Sequence, residues 1–261
     1  MSSASPGAPT NTADVDWARV YGIDLVYRKD CWQLCGDAHC CNFSRHKSRF
    51  RIVGKKAFQE LPLLPGEYEY LTQSGGLAQF QDHQYRRTTL ALDARRAVTL
   101  ETIVSHRPGC ACDHATRPTI CRLYPLFPIL DVDGRVCGIE PHFGVYEELE
   151  ALASMEPACR IDAIPTQQMS LFLELVGCLT PSPLHLFHLH AYRVAKAHLA
   201  SRLRAQLGDS GKDPFTTFEW QLMRGKLFDT ERLRAELSAL ADRFEARYGE
   251  RFRLPAPDLP C

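Results

Sequence analysis

The chain has 261 residues, of which 45% are hydrophobic and 24% are charged, and its formal net charge is zero. These values are ordinary for a globular protein, and a neutral chain lacks the overall positive field that recruits nucleic acid or an anionic membrane. We therefore predict no nucleic-acid partner. We also predict no membrane partner, because the sequence holds no apolar run long enough to cross a bilayer.

The N-terminal residues 1–13 are rich in Ser, Pro, Ala and Thr, which predicts a disordered tail. They lack the basic start and apolar core of a secretory signal, so we expect a cytoplasmic protein. In that reducing compartment, the eleven cysteines favour metal binding over disulfide bonds.

The first predicted element is a strand over residues 20–27, where β-branched and aromatic residues are frequent. The same composition predicts strands over residues 50–53, 88–92 and 97–103. Short helices are expected over residues 55–61 and 67–72. The polar, glycine-containing stretch 73–84 is expected to be a loop.

The next predicted element is a β-hairpin within PLFPILDVDGRVCGIE, residues 125–140. Asp133-Gly134 is a pair expected where both central turn residues take positive φ, between strands over residues 129–132 and 135–139. Pro125 and Pro128 restrict the first of these strands to a sheet edge or delay its start.

From about residue 166 the sequence becomes helical. One helix has a predicted apolar face made of Met169, Phe172, Leu173, Leu175 and Val176. A long helix over residues 184–207 is predicted to end at Gly208. A last helix begins near residue 229, with an apolar face made of Leu233, Leu237, Leu240 and Phe244.

The predicted fold class is therefore α+β. A cysteine-rich metal-binding half (residues 14–165), with small antiparallel strands and a hairpin, precedes a mainly helical half (residues 166–261) that packs on it.

The most informative feature is the density of cysteine in two segments that are far apart in the chain. The cysteines are Cys31, Cys35, Cys40 and Cys41 in CWQLCGDAHCC, and Cys110, Cys112 and Cys121 in GCACDHATRPTIC. Thiolates are soft ligands that suit zinc, copper(I) and iron–sulfur clusters. One structural zinc ion needs only four ligands. The larger number of thiols and the adjacent Cys40-Cys41 pair favour an iron–sulfur cluster, with zinc as the alternative.

Other residues add to this predicted site. Cys159 is a further candidate ligand, and Arg117 and Arg122 can donate hydrogen bonds to thiolate or sulfide sulfur, which tunes the potential of a metal site. The alternative for both arginines is to bind carboxylates at the surface. The remaining cysteines are expected to be small buried apolar residues; they are Cys137, Cys178 and Cys261.

Histidines and basic residues leave alternatives open. His39 and His114 lie inside the cysteine segments and are alternative zinc ligands. His185 and His188 share one face of a predicted helix and could bind a metal. No acidic residue accompanies them, so a partly exposed helix start is expected instead. The basic residues between positions 45 and 56 predict a solvated face, or a surface that offsets thiolate charge or receives an anionic substrate or acidic partner protein.

The two cysteine segments resemble bacterial cysteine-cluster proteins described as zinc- or iron-chelating, the CxxCxxxCC or YkgJ-like family. That family has a cysteine run ending in a CC pair and a later segment of the form C…RPxxCRxYP. The second part is similar to Cys112 followed by RPTICRLYP, residues 117–125. Two gaps in the first run are longer here. Cys112 lies one residue closer to the Arg-Pro pair than the family pattern has it, and Cys110 one residue farther, so either could be the ligand. The resemblance covers residues 27–130 and implies a shared metal centre.

More distantly, the chain resembles the flagellin lysine N-methylases. That resemblance implies an iron–sulfur cluster, for example of the 4Fe–4S type, coupled to methyl transfer from S-adenosylmethionine. Three functions remain open. They are an iron–sulfur enzyme acting by redox chemistry or methyl transfer on a protein or small molecule, a structural zinc module that binds a partner, and a metal carrier. The sequence has no nucleotide-binding glycine loop and no recognisable nucleophile–base pair, so no catalytic residue is predicted.

Overall fold

A computed structural model describes residues 15–27, 46, 48–53, 59–80, 82–105, 115–141, 143–156, 164–208 and 211–257. The first elements are α1 (Trp17–Gly22), β1 (Gln59–Leu63), α2 (Glu67–Gln73), a 3₁₀ turn (Gly76–Gln79), β2 (Gln84–Ala91), β3 (Ala97–Ser105) and α3 (Thr119–Leu123). They are followed by β4 (Leu126–Leu130), β5 (Val136–Pro141), α4 (Val145–Leu152), α5 (Thr166–Leu179), α6 (Pro183–Leu207), α7 (Pro214–Met223), α8 (Thr230–Tyr248) and a final 3₁₀ turn (Gly249–Arg251).

The strands form two small antiparallel sheets. In the first sheet the order is β1-β3-β2, so the long strand β3 is central and pairs Ile103 with both Leu61 and Tyr85. The second sheet is the two-stranded β4-β5 hairpin. Helices together with small antiparallel sheets confirm the predicted α+β class.

The predicted strand over residues 20–27 is wrong, because α1 occupies its beginning. The Asp16 carboxylate accepts a hydrogen bond from the Arg19 amide at 3.0 Å and so caps the helix start. Trp17 packs its ring on Tyr70 at 6.4 Å and edge-on against His185 at 5.5 Å. A cap and these long-range aromatic contacts therefore outweigh the β propensity of the local sequence.

Other N-terminal predictions need smaller corrections. Residues 50–53 do not form a strand, and residues 59–61 belong to β1 and not to a helix; residues 54–58 lie outside the described part. The helix at residue 67 is confirmed. The predicted loop 73–84 contains the 3₁₀ turn Gly76–Gln79, and the strands predicted near residues 88 and 97 are confirmed with longer bounds. The predicted tail, residues 1–13, lies outside the described residues.

The hairpin forms where it was predicted, but its turn differs from the prediction. Gly134 has a φ of +82°, whereas Asp133 is not among the residues with positive φ. The Asp131 carboxylate accepts hydrogen bonds from the amides of Asp133 and Arg135 at 2.9 and 2.8 Å, which supports a turn with only one left-handed residue. Pro128 lies in β4, an edge strand, as expected.

Gly134 also lies close to α5. A Cβ atom at this position would be 2.9 Å from the Cβ of Thr180. We expect Gly134→Ala to lower the free energy of unfolding by about 2 kcal/mol, because it adds both left-handed strain and a steric clash. The matched control is Gly177→Ala in α5, where an added Cβ meets nothing within 4 Å. This control is expected to be neutral or to stabilise by up to about 1 kcal/mol in urea unfolding. Equal effects of the two variants on the free energy of unfolding would contradict the predicted strain and clash at Gly134.

The helices of the C-terminal half are largely those predicted. Helix α6 ends before Gly208, and α8 buries the four residues of its predicted apolar face. On α5, Leu173 is 42% exposed and so does not belong to the predicted apolar face. Helix α7 was not predicted; it begins with Pro214 after the capping residue Asp213.

Two predictions about single side chains are wrong. The first concerns His185 and His188, which are buried and not partly exposed. His185 lies between the Ser182 hydroxyl (2.8 Å) and the Pro65 carbonyl (2.9 Å). His188 contacts the Leu184 carbonyl at 2.8 Å. Burial lowers the pKa of His188. Cys137 is exposed and Cys178 is half-buried, so neither is the fully buried apolar residue expected.

One hydrophobic cluster contains residues from both halves of the chain. It includes Val20 and Phe127 from the N-terminal half together with Phe172, Phe187 and Phe244 from the helices. Within the described ranges, no single helix is long and apolar enough to cross a membrane. Helices α5 and α6 meet that length and composition criterion only as a pair, which is bent by 119°.

Candidate metal centre

The second cysteine segment ends in the short helix α3, which carries Cys121. Pro118 precedes it with φ −51° and ψ 146°, the extended conformation that proline favours before a helix. Its carbonyl accepts a hydrogen bond from the Arg122 amide at 2.9 Å. Cys121 is half-buried and packs on a small cluster between α2 and the β1-β3-β2 sheet that contains Leu61, Leu71 and Ile103. The motif RPTICRLYP therefore forms an ordered helical turn with Cys121 at its centre.

A buried carboxylate holds the start of this turn. Glu67 Oε1 accepts hydrogen bonds from the Thr119 amide at 2.6 Å, the Thr119 hydroxyl at 2.5 Å and the Tyr21 hydroxyl at 2.7 Å. Glu67 Oε2 accepts from the Leu64 amide at 2.8 Å. Burial raises the pKa of Glu67, and these hydrogen bonds oppose the rise. One carboxylate thus satisfies the free amide at the start of α3 and the Leu64 amide just before α2.

Arg122 and Tyr27 connect α3 to the residues that precede the first cysteine segment. The Arg122 guanidinium is buried, donates to the backbone carbonyls of Tyr21 and Ile23, and lies 5.2 Å from the centre of the Tyr21 ring. The Tyr27 hydroxyl donates to the Leu123 carbonyl at 2.9 Å. Tyr27 is four residues before Cys31, so the N-terminal flank of the first segment is bonded to the helix that carries Cys121.

Helix α4 connects the other flank of the first segment to the end of α3. The Tyr124 hydroxyl donates to Glu147 Oε1 at 2.5 Å, and Nε2 of His46 lies 2.7 Å from Glu150 Oε1. Both glutamates are buried. His46 is five residues after Cys41, so one helix contacts residues that follow each cysteine segment.

Another buried carboxylate holds residues 51–53. Glu219, on α7, accepts hydrogen bonds from the amides of Arg51, Ile52 and Val53 at 3.0, 2.6 and 2.7 Å. Burial opposes ionisation of Glu219, but these three hydrogen bonds outweigh it and hold its pKa below the usual value. The C-terminal flank of the first segment is thereby fixed to the helical half.

Only a part of the predicted ligand set falls in the described residues. Cys121, Arg117 and Arg122 are described, and the structure places them in or next to α3. The other candidate ligands lie outside the described residues; they are Cys31, Cys35, Cys40, Cys41, Cys110, Cys112 and Cys159. His39 and His114 lie outside as well. Within the part of the chain that is described, no group of three His, Cys, Asp or Glu side chains could hold a metal ion.

The described contacts of Arg122 also bear on its predicted role. Both terminal nitrogens donate to backbone carbonyls, so this arginine does not bind a surface carboxylate through them. Its Nε atom is buried and has no hydrogen-bond partner among the residues described. This buried N–H therefore has a donor position left for an acceptor that the described residues do not supply.

Sequence reasoning missed the residues that hold the flanks. Glu67 had a detectable signal, since an acidic residue directly after Pro65-Gly66 is typical of a helix start. Glu150 and Glu219 had none, because each is a glutamate inside a helix, and only its partner from a distant segment distinguishes it from a solvated side chain.

Comparison of the whole chain with protein-family models, with curated proteins and with solved structures gave no match.

Proposed function

We propose that the chain is a metalloprotein whose two cysteine segments jointly bind an iron–sulfur cluster. The observation that carries this proposal is the convergence of their flanks. Tyr27, before the first segment, bonds the backbone of α3. His46, after it, contacts α4, which also binds Tyr124. Anchoring of both flanks supports a position of the first segment within reach of Cys121.

Covalent geometry limits how far the first segment extends from these anchors. The step from Tyr27 to Cys31 spans no more than about 14 Å of chain, and the step from Cys41 to His46 no more than about 18 Å. The buried anchors also oppose separation of the segments, because each one leaves unsatisfied donors if it is broken. These limits support a shared site and are independent of the metal.

The proposed ligands are the cysteines identified from the sequence. They are Cys31, Cys35, Cys40, Cys41 and Cys121, with Cys110 or Cys112 as alternatives and Cys159 as a further candidate. Arg117 and Arg122 are proposed to donate to sulfur, and the buried Nε of Arg122 fits that role. A cluster held by such thiolates would supply one-electron redox chemistry. We also propose that the chain belongs to the CxxCxxxCC family. Its proposed substrate is a protein or a small molecule.

The experiment is anaerobic purification followed by measurement of iron, zinc and acid-labile sulfide. The proposal expects about four iron and four sulfide ions per chain, as in a 4Fe–4S cluster. One zinc ion without sulfide would overturn it in favour of a structural zinc site, in which metal binding contributes directly to folding.

The ligand assignment is tested at Cys121. Cys121→Ser is expected to lose most of the bound metal and several kcal/mol of unfolding free energy, because serine is a poor ligand for a soft metal. The matched control is Cys137→Ser, since Cys137 is exposed on β5. It should leave both the metal content and the urea midpoint unchanged. If Cys121→Ser retains its full metal content, Cys121 is not a ligand.

A further inference from the structure

The exposed side of α7 differs from the rest of the described surface. The helix buries Phe215 and Phe218 in the core, yet Trp220 and Met223 are each 51% exposed. No other large apolar side chain in the described ranges is as exposed as these two. Residues at spacing i and i+3 share a helix face, so Trp220 and Met223 form one apolar patch and not two isolated exposures.

The loop bound to Glu219 adds another exposed apolar side chain beside α7. Ile52 is 43% exposed, and its amide donates to Glu219, the residue next to Trp220 in α7. Because three amides of the loop bind the same carboxylate, the loop is held in position against α7. We call Ile52, Trp220, Met223 and the basic residues beside them the α7 surface.

Two exposed cations lie beside these side chains. The Arg224 guanidinium lies 4.1 Å from the centre of the Trp220 ring, and Arg51 is exposed beside Ile52. The carboxylates of the same region bind groups of the chain itself. Glu219 accepts hydrogen bonds from the loop amides. Asp213 caps α7 and pairs with Arg49 at 3.2 Å. Glu219 is buried, so the exposed charges shown directly beside the patch are those of Arg51 and Arg224.

We propose that the α7 surface is a docking site for a partner protein that presents an apolar side chain flanked by carboxylates. Trp, Met and Arg are the residue types enriched at the centres of protein interfaces. The exposed cations are complementary to an acidic partner and would speed its association. A protein partner is favoured over an anionic bilayer because the patch is small and the chain lacks an overall positive field. The proposal does not depend on the metal.

The test uses two labelled amphipathic helical peptides with identical apolar residues, one with Glu and the other with Lys at every polar position. Fluorescence anisotropy with the full chain is expected to detect binding of the acidic peptide, weakening with added salt, and no binding of the basic one. Trp220→Ala and Arg224→Glu should each weaken binding by at least about tenfold. Leu173→Ala, which truncates an exposed leucine on α5, is the control and should change nothing. Unfolding midpoints verify that each variant is folded.

Three outcomes would overturn the proposal. The first is no binding of the acidic peptide at about 1 mM. The second is equal binding of both peptides, or binding that Trp220→Ala leaves unchanged. The third is that the chain sediments with phosphatidylcholine–phosphatidylserine vesicles, that this requires Trp220, and that the acidic peptide does not bind. This result would assign the surface to a membrane.

Discussion

Replacing Glu67 with Gln is expected to lower the free energy of unfolding by about 3 kcal/mol. Gln has the same shape, so no cavity forms, but its NH₂ group must face a donor. With the amide oxygen on the Tyr21 and Thr119 side, the NH₂ faces the Leu64 amide, which is 2.8 Å from Glu67 Oε2. The reverse orientation leaves more donors unsatisfied.

The matched control is Glu69→Gln on the exposed side of the same helix, α2. It is expected to change the urea unfolding free energy by less than about 0.5 kcal/mol. If the cysteine segments hold a metal, Glu67→Gln should also lower the metal content, because it loosens the start of the helix that carries Cys121. Similar stability of the two variants would show that the buried carboxylate contributes little.

Glu219→Ala is expected to destabilise the chain by about 3 kcal/mol, since it removes one acceptor that serves three backbone amides. Val53, one of the donors, is buried, so water reaches its amide poorly. Alanine has a high helix propensity, and the loss therefore does not come from α7 itself. Urea unfolding at neutral pH measures the difference.

The pH dependence gives a second measurement of the same interaction. The folded pKa of Glu219 lies below its unfolded value of about 4.3. Its contribution is therefore fully present above pH 4.3 and is lost as the pH falls through the lower, folded pKa. The stability gap between the native chain and Glu219→Ala should shrink on acidification below about pH 4. A gap that stays constant to pH 2 would contradict binding through an ionised carboxylate.

The control for this variant is Glu174→Ala on α5. Glu174 is exposed, and its ion pair with Arg19 spans 3.7 Å between exposed side chains. Such pairs contribute between about 0 and 1 kcal/mol. A loss as large as that of Glu219→Ala would mean that burial does not distinguish the two glutamates.

Local sequence patterns predicted the parts of the fold that depend on periodicity. The spacing of Leu233, Leu237 and Leu240 predicted α8, and the apolar run ending before Gly208 predicted α6. The same reasoning failed for α1, because the β propensity of residues 20–27 is weaker than the Asp16 cap and the packing of Trp17. It also missed α3 and α4, whose short lengths provide little periodic signal.

The sequence by itself determined the α+β class, the positions of the long helices and the hairpin, and the concentration of thiols in two segments. Only the tertiary structure decided how the flanks of those segments are held, through Glu67, Glu150, Glu219 and the Tyr27–Leu123 hydrogen bond. The physical reason is that helix and turn signals arise between residues a few positions apart. A buried carboxylate, by contrast, is stable only when donors from distant parts of the chain surround it.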